Sequence, residues 1–397
     1  MNLNILNNEV QDYINSNYNL PVSKLLLKGV SFDGVSVLEL AQQIESKLKS
    51  KSKLPTWFST KNIYYPPKLN LEQTSSEQTA SYKSTLISGF SIIDLTGGFG
   101  VDCFYFSKHF QKVVHCEINK ELSKIAAHNF IQLNLNNVKT IDKNGIDFLV
   151  NSTQKFDWIY LDPSRRHETK GKVFFLKDCI PNVPENLYNL FNFSENIMVK
   201  TSPLLDLSIG IDELNYVKEI HVIAVKNEVK ELLWILKKNY KGDIRITTIN
   251  ILKNSSDRFS FNISEKENVK VSFSKPLNYL YEPNSAIMKS GAFQLISQKF
   301  RIYKLHQHSH LYTSEDLIDF PGRCFKIDDI LSYNKKEFKK AGLKKANVTA
   351  RNFNDSVQQI RKKLSIKDGG EVYLFFTTDL DGGKIVLKCS KISRVSP

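Results

Sequence analysis

The sequence predicts an α/β protein, a doubly wound parallel sheet with a helical region before it and a small α+β domain after it. Three observations carry this. Short, β-rich apolar runs begin at residue 91 and alternate with helical patterns. Strand–helix alternation at that spacing builds a parallel sheet covered on both faces. Residues 1–90 hold helical periodicity instead. Residues 325–397 hold sixteen Lys/Arg against eight Asp/Glu, whereas residues 1–90 hold nine against seven.

In chain order, "SVLELAQQIESKLKS" places Leu38, Leu40, Ala41, Ile44 and Leu48 near helical spacing. "KLPTWFSTKNIYYPPKLN" is broken by three prolines and reads as a crossing loop. "TSSEQTASYKSTLISG" restarts a helix, with Thr74 and Glu77 as a capping box and Gly89 as its stop. The strands are "SIIDL", "KVVHCEI", "VKTID", "FDWIYLD", "ENIMVKT", "KEIHVIAVK" and "IRITTINIL". Helices are expected at "NKELSKIAAHNFIQLN" and "NEVKELLWILKKNY", and "RFSFNIS" and "VKVSF" extend the sheet edge to about residue 274. The segment "YEPNSAIMKSGAFQLISQKFRIYKLHQHSH" holds one helix and a strand. The tail reads helix, strand, helix, strand, strand, its first helix being "KIDDILSYNKKEFKKAG". Four regions result: 1–90 helical, 91–274 the α/β domain, 275–324 a connecting α+β segment, and 325–397 a basic domain.

Composition excludes several classes. No run of about 18 apolar residues exists, so no membrane span is expected. The N-terminal residues lack a charged start followed by an apolar core, so no secretory signal is expected. Cys103, Cys116, Cys179, Cys324 and Cys389 are scattered and never spaced C-x-x-C, which argues against disulfides or zinc and fits a reducing cytoplasm. His306, His308 and His310 alternate as on one strand face, but no acidic residue nearby completes a metal set. No metal is therefore expected. The net charge of +14, concentrated toward the C-terminus, points to a polyanionic partner, with nucleic acid first.

In an open α/β sheet, ligands bind beyond the carboxyl ends of the strands, at a switch in strand order. The first strand there ends in "DLTGGFGVD", with Asp94, Thr96, Gly97, Gly98 and Gly100. Adjacent glycines permit a tight turn and close ligand approach. The second ends at Glu117, about 20 residues on, where an acid accepts from two ribose hydroxyls. Asn144 and Gly145 follow the third strand, where an adenine edge would lie. The fourth ends in "YLDPSRR", which brings Asp162 to the same crevice.

These strand ends resemble those of class I S-adenosylmethionine-dependent methyltransferases, specifically the bacterial proteins that join such a Rossmann-like domain to a C-terminal THUMP-like domain. "DLTGGFGVD" is similar to the donor-binding loop, "HCEINK" to the ribose acid and "LDPSRR" to the fourth motif. "LEQTSSEQTASYK", "VKTSPLLDLS", "YEPNSAIMKSGAF", "ARNF" and "LSIKDGG" extend the resemblance over nearly the whole chain. It implies that Asp94, Thr96, Gly97, Gly98 and Gly100 cradle the methionine part of S-adenosylmethionine. Glu117 would hold the ribose, and Asn144 with Gly145 the adenine. Asp162, Pro163 and Arg165 would form the catalytic wall, with Arg166 and Lys200 on the acceptor side.

Related amino-group methyltransferases carry Asp/Asn-Pro-Pro-aromatic, whereas Ser164 and Arg165 stand here. Base-amine chemistry therefore loses its usual stacking ring. A guanidinium at Arg165 or Arg166 can stack on a base or pair with phosphate. The resemblance and the basic tail together imply an RNA substrate, tRNA or rRNA, docked partly through Lys336, Lys340, Arg351 and Arg361. The competing readings are a methyltransferase of a protein or small molecule, and a non-catalytic RNA-binding protein that keeps the donor pocket.

Overall fold

The computed structural model describes residues 1–27, 29–165, 175–267 and 269–392. Two compact units form: Met1–Glu219 with Glu231–Gly242, and Ile220–Lys230 with Asp243–Pro397. No helix among the described residues is long and apolar enough to cross a membrane.

The first unit opens with six helices: α1 (Asn8–Asn17), α2 (Val22–Leu27), α3 (Val37–Lys53), α4 (Pro55–Ser59), α5 (Lys68–Gln73) and α6 (Glu77–Ser84). Ser36 and Glu39 form a capping box on α3, which buries Leu40, Ala41 and Ile44, while Leu38 and Leu48 are exposed. The capping box expected at Thr74 and Glu77 does not form. Ser76 caps α6 by accepting from the Thr79 N–H, and Thr74 closes α5. Glu77 is free of that task because its carboxylate accepts from Thr56 N, Thr56 Oγ1 and Tyr105 Oη. Gly89 is not a helix stop but opens the first strand.

The strands and helices that follow are β1 (Gly89–Asp94), α7 (Val101–Phe106), β2 (Phe110–Cys116), α8 (Lys120–Gln132), β3 (Val138–Ile141), α9 (Gly145–Val150) and β4 (Trp158–Leu161). A two-residue pair, β5 (Ser164–Arg165) with β6 (Cys179–Ile180), precedes α10 (Val183–Leu190), β7 (Asn196–Thr201) and α11 (Leu207–Glu213). Next come β8 (Val217–Val225), which lies mostly in the second unit, and β9 (Glu228–Lys237), most of which returns to the first.

In the first unit the sheet order is β9-β7-β4-β1-β2-β3. Neighbours from β7 to β3 are parallel, and β9 is antiparallel to β7. The chain steps from β1 outward through β2 and β3, then back to β4 on the other side. The switch point therefore falls between β1 and β4, where Asp94 pairs with Tyr160. Trp57, Tyr65 and Leu71 from the helical region share a core with Phe99, Val101, Phe104 and Leu122. That shared core lays the N-terminal helices over the first turn of the sheet.

The segment "NEVKELLWILKKNY" is a strand, not the expected helix. Its central run from Glu231 to Trp234 is fully buried beside β7, and Trp234 donates to Thr201 Oγ1 at 2.9 Å. A continuous apolar run of this length suits both periods, and sheet pairing decides it.

In the second unit β8, β10 (Arg245–Ile251) and β11 (Ser256–Asn262) lie in that order, with β10 and β11 antiparallel. Further along are β12 (Tyr279–Pro283), α12 (Ser285–Ser290), α13 (Phe293–Phe300), β13 (Tyr303–Lys304), β14 (Tyr312–Ser314), β15 (Gly322–Ser332), α14 (Lys335–Lys340), β16 (Lys345–Ala350), α15 (Val357–Leu364), β17 (Lys367–Thr378) and β18 (Lys384–Lys391). They make a seven-stranded sheet, β13-β14-β12-β15-β18-β17-β16. "KIDDILSYNKKEFKKAG", expected as one helix, is the end of β15 followed by α14; β15 pairs with both β12 and β18. "LHQHSH" is a turn rather than a strand: His306 Nδ1 accepts from the His308 N–H, and His310 has φ 51°.

Candidate functional site

The turn after β1 is built by short-range constraints. Asp94 is buried, and its carboxylate accepts from Thr96 N at 2.9 Å and Thr96 Oγ1 at 3.2 Å. The Gly97 N–H donates to Cys116 O at 2.7 Å, so a Cβ there would stand 2.3 Å from the His115 ring. Gly100, with φ 86°, faces Phe130, whose ring a Cβ would meet at 2.4 Å. Gly98 differs: φ is 54°, and nothing lies nearer its Cβ position than Thr96 O at 3.8 Å. Two glycines are thus demanded by packing, and the third leaves an open face.

Burial pulls His115 down to about 4, so the ring is neutral and Nε2 sits 3.1 Å from Gly98 O. Burial pushes the Asp94 carboxyl up to about 7; the Thr96 N–H opposes that rise and the nearby Asp102 charge adds to it.

All four strand ends are tied to this turn. From β2, Glu117 Oε2 accepts the Gly98 N–H at 2.9 Å, and Oε1 accepts the Asn119 N–H at 2.8 Å. A carboxylate oxygen has two lone pairs, so each keeps room for one more donor. After β3, Gly145 packs so closely on Leu95 that a Cβ would meet its carbonyl oxygen at 2.4 Å. Asn144 caps α9, its Oδ1 accepting from Ile146 N and Asp147 N, which leaves Nδ2 as a donor. From β4, the Asp162 N–H donates to Thr96 Oγ1 at 2.7 Å, followed by the buried Pro163.

Asp162 is the outermost member of a chain of charges. Lys200, from β7, pairs with its Oδ2. Burial works against the Lys200 ammonium, but Asp162, Glu231 and Asp102 outweigh it and hold the group above its ordinary range. Behind it Lys83 is fully buried, 3.0 Å from both Asp102 Oδ1 and Glu231 Oε1 and 2.8 Å from Ser75 Oγ. Asp102 Oδ2 accepts from Ser75 Oγ and Tyr160 Oη, each at 2.9 Å. Burial would raise the Asp102 carboxyl, yet Lys83 and Lys200 hold it below its usual value.

Lys83, Asp102 and Glu231 are the residues that sequence reading missed. Asp102 closes the "DLTGGFGVD" motif and Lys83 closes "LEQTSSEQTASYK", so the local signal existed without its partner. Glu231 lies in the misread β9. Lys200, expected on the acceptor side, is mostly buried and holds Asp162.

Arg165 contributes backbone pairing to Cys179; its side chain and all of Arg166 lie outside the described residues. In the tail, Lys336 and Lys340 are exposed on α14. Arg351 pairs instead with Glu282 at 2.9 Å, and Arg361 with Asp368. Among the described residues no group of His, Cys, Asp and Glu is placed to hold a metal ion.

Comparison with known proteins extends this picture. Residues 279–321 match a ferredoxin-like domain model, and residues 322–391 match a THUMP domain-like model. A solved structure described as a putative methyltransferase from Porphyromonas gingivalis W83 is similar over 98% of each chain, at 32% identity and TM-score 0.87. An rRNA methylase from Streptococcus thermophilus covers 41% of this chain and 94% of its own at 12% identity, with a TM-score of only 0.30. No curated protein matches the sequence.

Proposed function

The chain belongs to the class I methyltransferases that carry a C-terminal THUMP-like domain, and from that premise we propose that it transfers a methyl group from S-adenosylmethionine to RNA. One observation carries the donor reading: four strand ends converge on a single turn whose open face, at Gly98, lies beside a carboxylate with lone pairs to spare.

The residues fit the donor. Glu117 would accept from the ribose hydroxyls, the open side of Gly98 would let the methionine part approach the backbone, and Asn144 Nδ2 would donate to the adenine. Gly97, Gly100 and Gly145 keep their Cβ-free contacts and so hold the turn in shape. Asp94 and Thr96 fix its first step, and Thr96 also grips the Asp162 backbone. The bound donor supplies a methyl already activated on a sulfonium, so the protein's main task is alignment. Lys200 holds Asp162 by one oxygen, and the other can orient the acceptor or take its proton. Pro163 walls that side, and Arg165 and Arg166 follow it in sequence; a guanidinium there would stack on a base or pair with phosphate.

The THUMP-like match and the exposed lysines of α14 support RNA, tRNA or rRNA, as acceptor. Arg351 and Arg361 are committed to carboxylates, so Lys336 and Lys340 are the better phosphate contacts. The donor reading is tested by calorimetry on Glu117→Ala. Hydrogen bonds to a charged acceptor are worth about 1.5–3 kcal/mol each, so S-adenosylmethionine should bind at least ~10-fold more weakly. Unchanged affinity in a folded variant contradicts the assignment.

A further inference from the structure

The second unit holds a cleft of about 300 Å³ that owes nothing to the residues above. Lys266, Lys304, His308 and His310 line it together with the start of α13 and Phe293. Three features of its wall have no structural explanation.

The first is Lys304, on β13, which is only 2% exposed. Its ammonium has one acceptor, Gln307 O at 2.9 Å, and no carboxylate within 4.0 Å among the described residues. Lys83, by contrast, is buried between two acids, and Lys47, the other buried lysine that has no acid among the described residues, lies over the Phe58 and Tyr65 rings and donates to Phe58 O. A buried ammonium without a counter-charge costs stability, and burial lowers its pKa here.

The second is α13 itself. Its N-cap, Ala292, has no side chain able to cap, so the N–H groups of Phe293, Gln294 and Leu295 open the helix uncapped, and all three residues line the cleft. A helix start directs partial positive charge and free donors at whatever lies before it. The third is His310, stacked on Phe293 with centroids 3.8 Å apart; its Nδ1 is buried with no hydrogen-bond partner. A buried cation without a counter-charge, an uncapped helix start and an unpartnered ring nitrogen thus face one cavity.

We propose that this cleft binds a phosphate group, held by Lys304, the amides that open α13 and His310. Phosphate supplies the missing counter-charge and several acceptor oxygens at once, which neither a neutral ligand nor a cation does. Lys266 adds positive charge at the rim, beside the exposed His308. The phosphate could belong to a free small molecule or to an RNA end, and the chemistry is shared.

The test uses the full chain without donor or methyl acceptor, so its outcome is independent of the methyl-transfer reading. Thermal unfolding is followed in potassium phosphate and in potassium chloride at matched ionic strength. Phosphate should raise the Tm in a saturable way that chloride does not reproduce. Lys304→Met should raise the Tm in chloride, because a lone buried charge is gone, and should abolish the phosphate response. His308→Glu, at an exposed rim position, should weaken phosphate at least ~10-fold with no loss of fold.

A short RNA bearing a 5′-phosphate is then compared with its 5′-hydroxyl twin. Preference for the phosphorylated strand assigns the site to RNA ends, and equal binding assigns it to a small phosphate ligand. Equal Tm values of the parent in phosphate and chloride overturn the proposal. So does a Lys304→Met or His308→Glu protein that answers phosphate as the parent does.

Discussion

At the carboxyl ends of β1, β4 and β7, charges are buried and paired: Lys83 between Asp102 and Glu231, and Lys200 on Asp162. On α14, Lys335, Lys336, Lys339 and Lys340 are exposed and form no ion pair among the described residues. The contrast teaches what each kind of charge can do. A buried pair is expensive to assemble and worth little net stability, but its geometry is fixed and breaking it is costly. Exposed lysines fix nothing, cost nothing, and act through a field that salt screens. The first arrangement suits a site that must align atoms. The second suits a surface that attracts a polyanion without reading its sequence.

The contrast can be pressed hardest at Lys83. Lys83→Met strips Asp102 and Glu231 of the one cation that both contact, leaving only the more distant Lys200, and should cost ~3–5 kcal/mol in denaturant unfolding. Lys336→Glu with Lys340→Glu should stay within ~0.5 kcal/mol of the parent in the same assay. Similar losses from both would erase the distinction.

A pH experiment sharpens it further. His115 is held neutral down to about 4, while the unfolded chain takes up its proton near 6.5, so its contribution is lost as pH falls through that window. Asp94 has the opposite sign. Its folded value is raised from 3.8 to about 7, so its contribution is present at low pH and is lost as pH rises through that window. The two slopes oppose each other in the parent. Asp94→Asn should therefore expose an acid-induced loss of up to ~3 kcal/mol between about pH 6.5 and 4, as His115 is denied its proton across that range. Unfolding curves at stepped pH will show it, and a flat profile in the variant contradicts the assignment.

Within the site, Asp162→Ala should lower methyl transfer ~100-fold, as for loss of a positioned acid or base, with donor affinity within a few-fold of the parent. Single-turnover kinetics beside donor calorimetry separates the two. In the tail, reversing Lys336 and Lys340 should weaken RNA binding and flatten its salt dependence by ~0.7 log unit per lost contact, leaving donor binding intact. Binding titrations at several salt concentrations read that slope directly.

How much of this was legible in the sequence follows the same division. The turn residues Asp94 to Gly100, Glu117 and Asp162 could be read because each lies at the end of a short apolar strand, and topology brings such ends together. The Lys83–Asp102–Glu231 cluster could not, because its members come from α6, α7 and β9 and nothing local pairs them. β9 itself was misread because Leu232, Leu233, Ile235 and Leu236 satisfy a helical stripe as well as a buried strand. The end of β15 hid in the same way, before the lysines of α14. Arg351 and Arg361 looked like phosphate contacts because a sequence shows charge but not the carboxylate that neutralises it.

Methyl transfer from S-adenosylmethionine to RNA can be measured directly. Total RNA from cells lacking this protein is incubated with the purified chain and methyl-labelled S-adenosylmethionine, digested, and its nucleosides resolved by mass spectrometry. Label should enter a single modified nucleoside with the parent protein and almost none should enter with Asp162→Ala. RNA that stays unlabelled while the donor is bound, or label that enters protein instead, would contradict it.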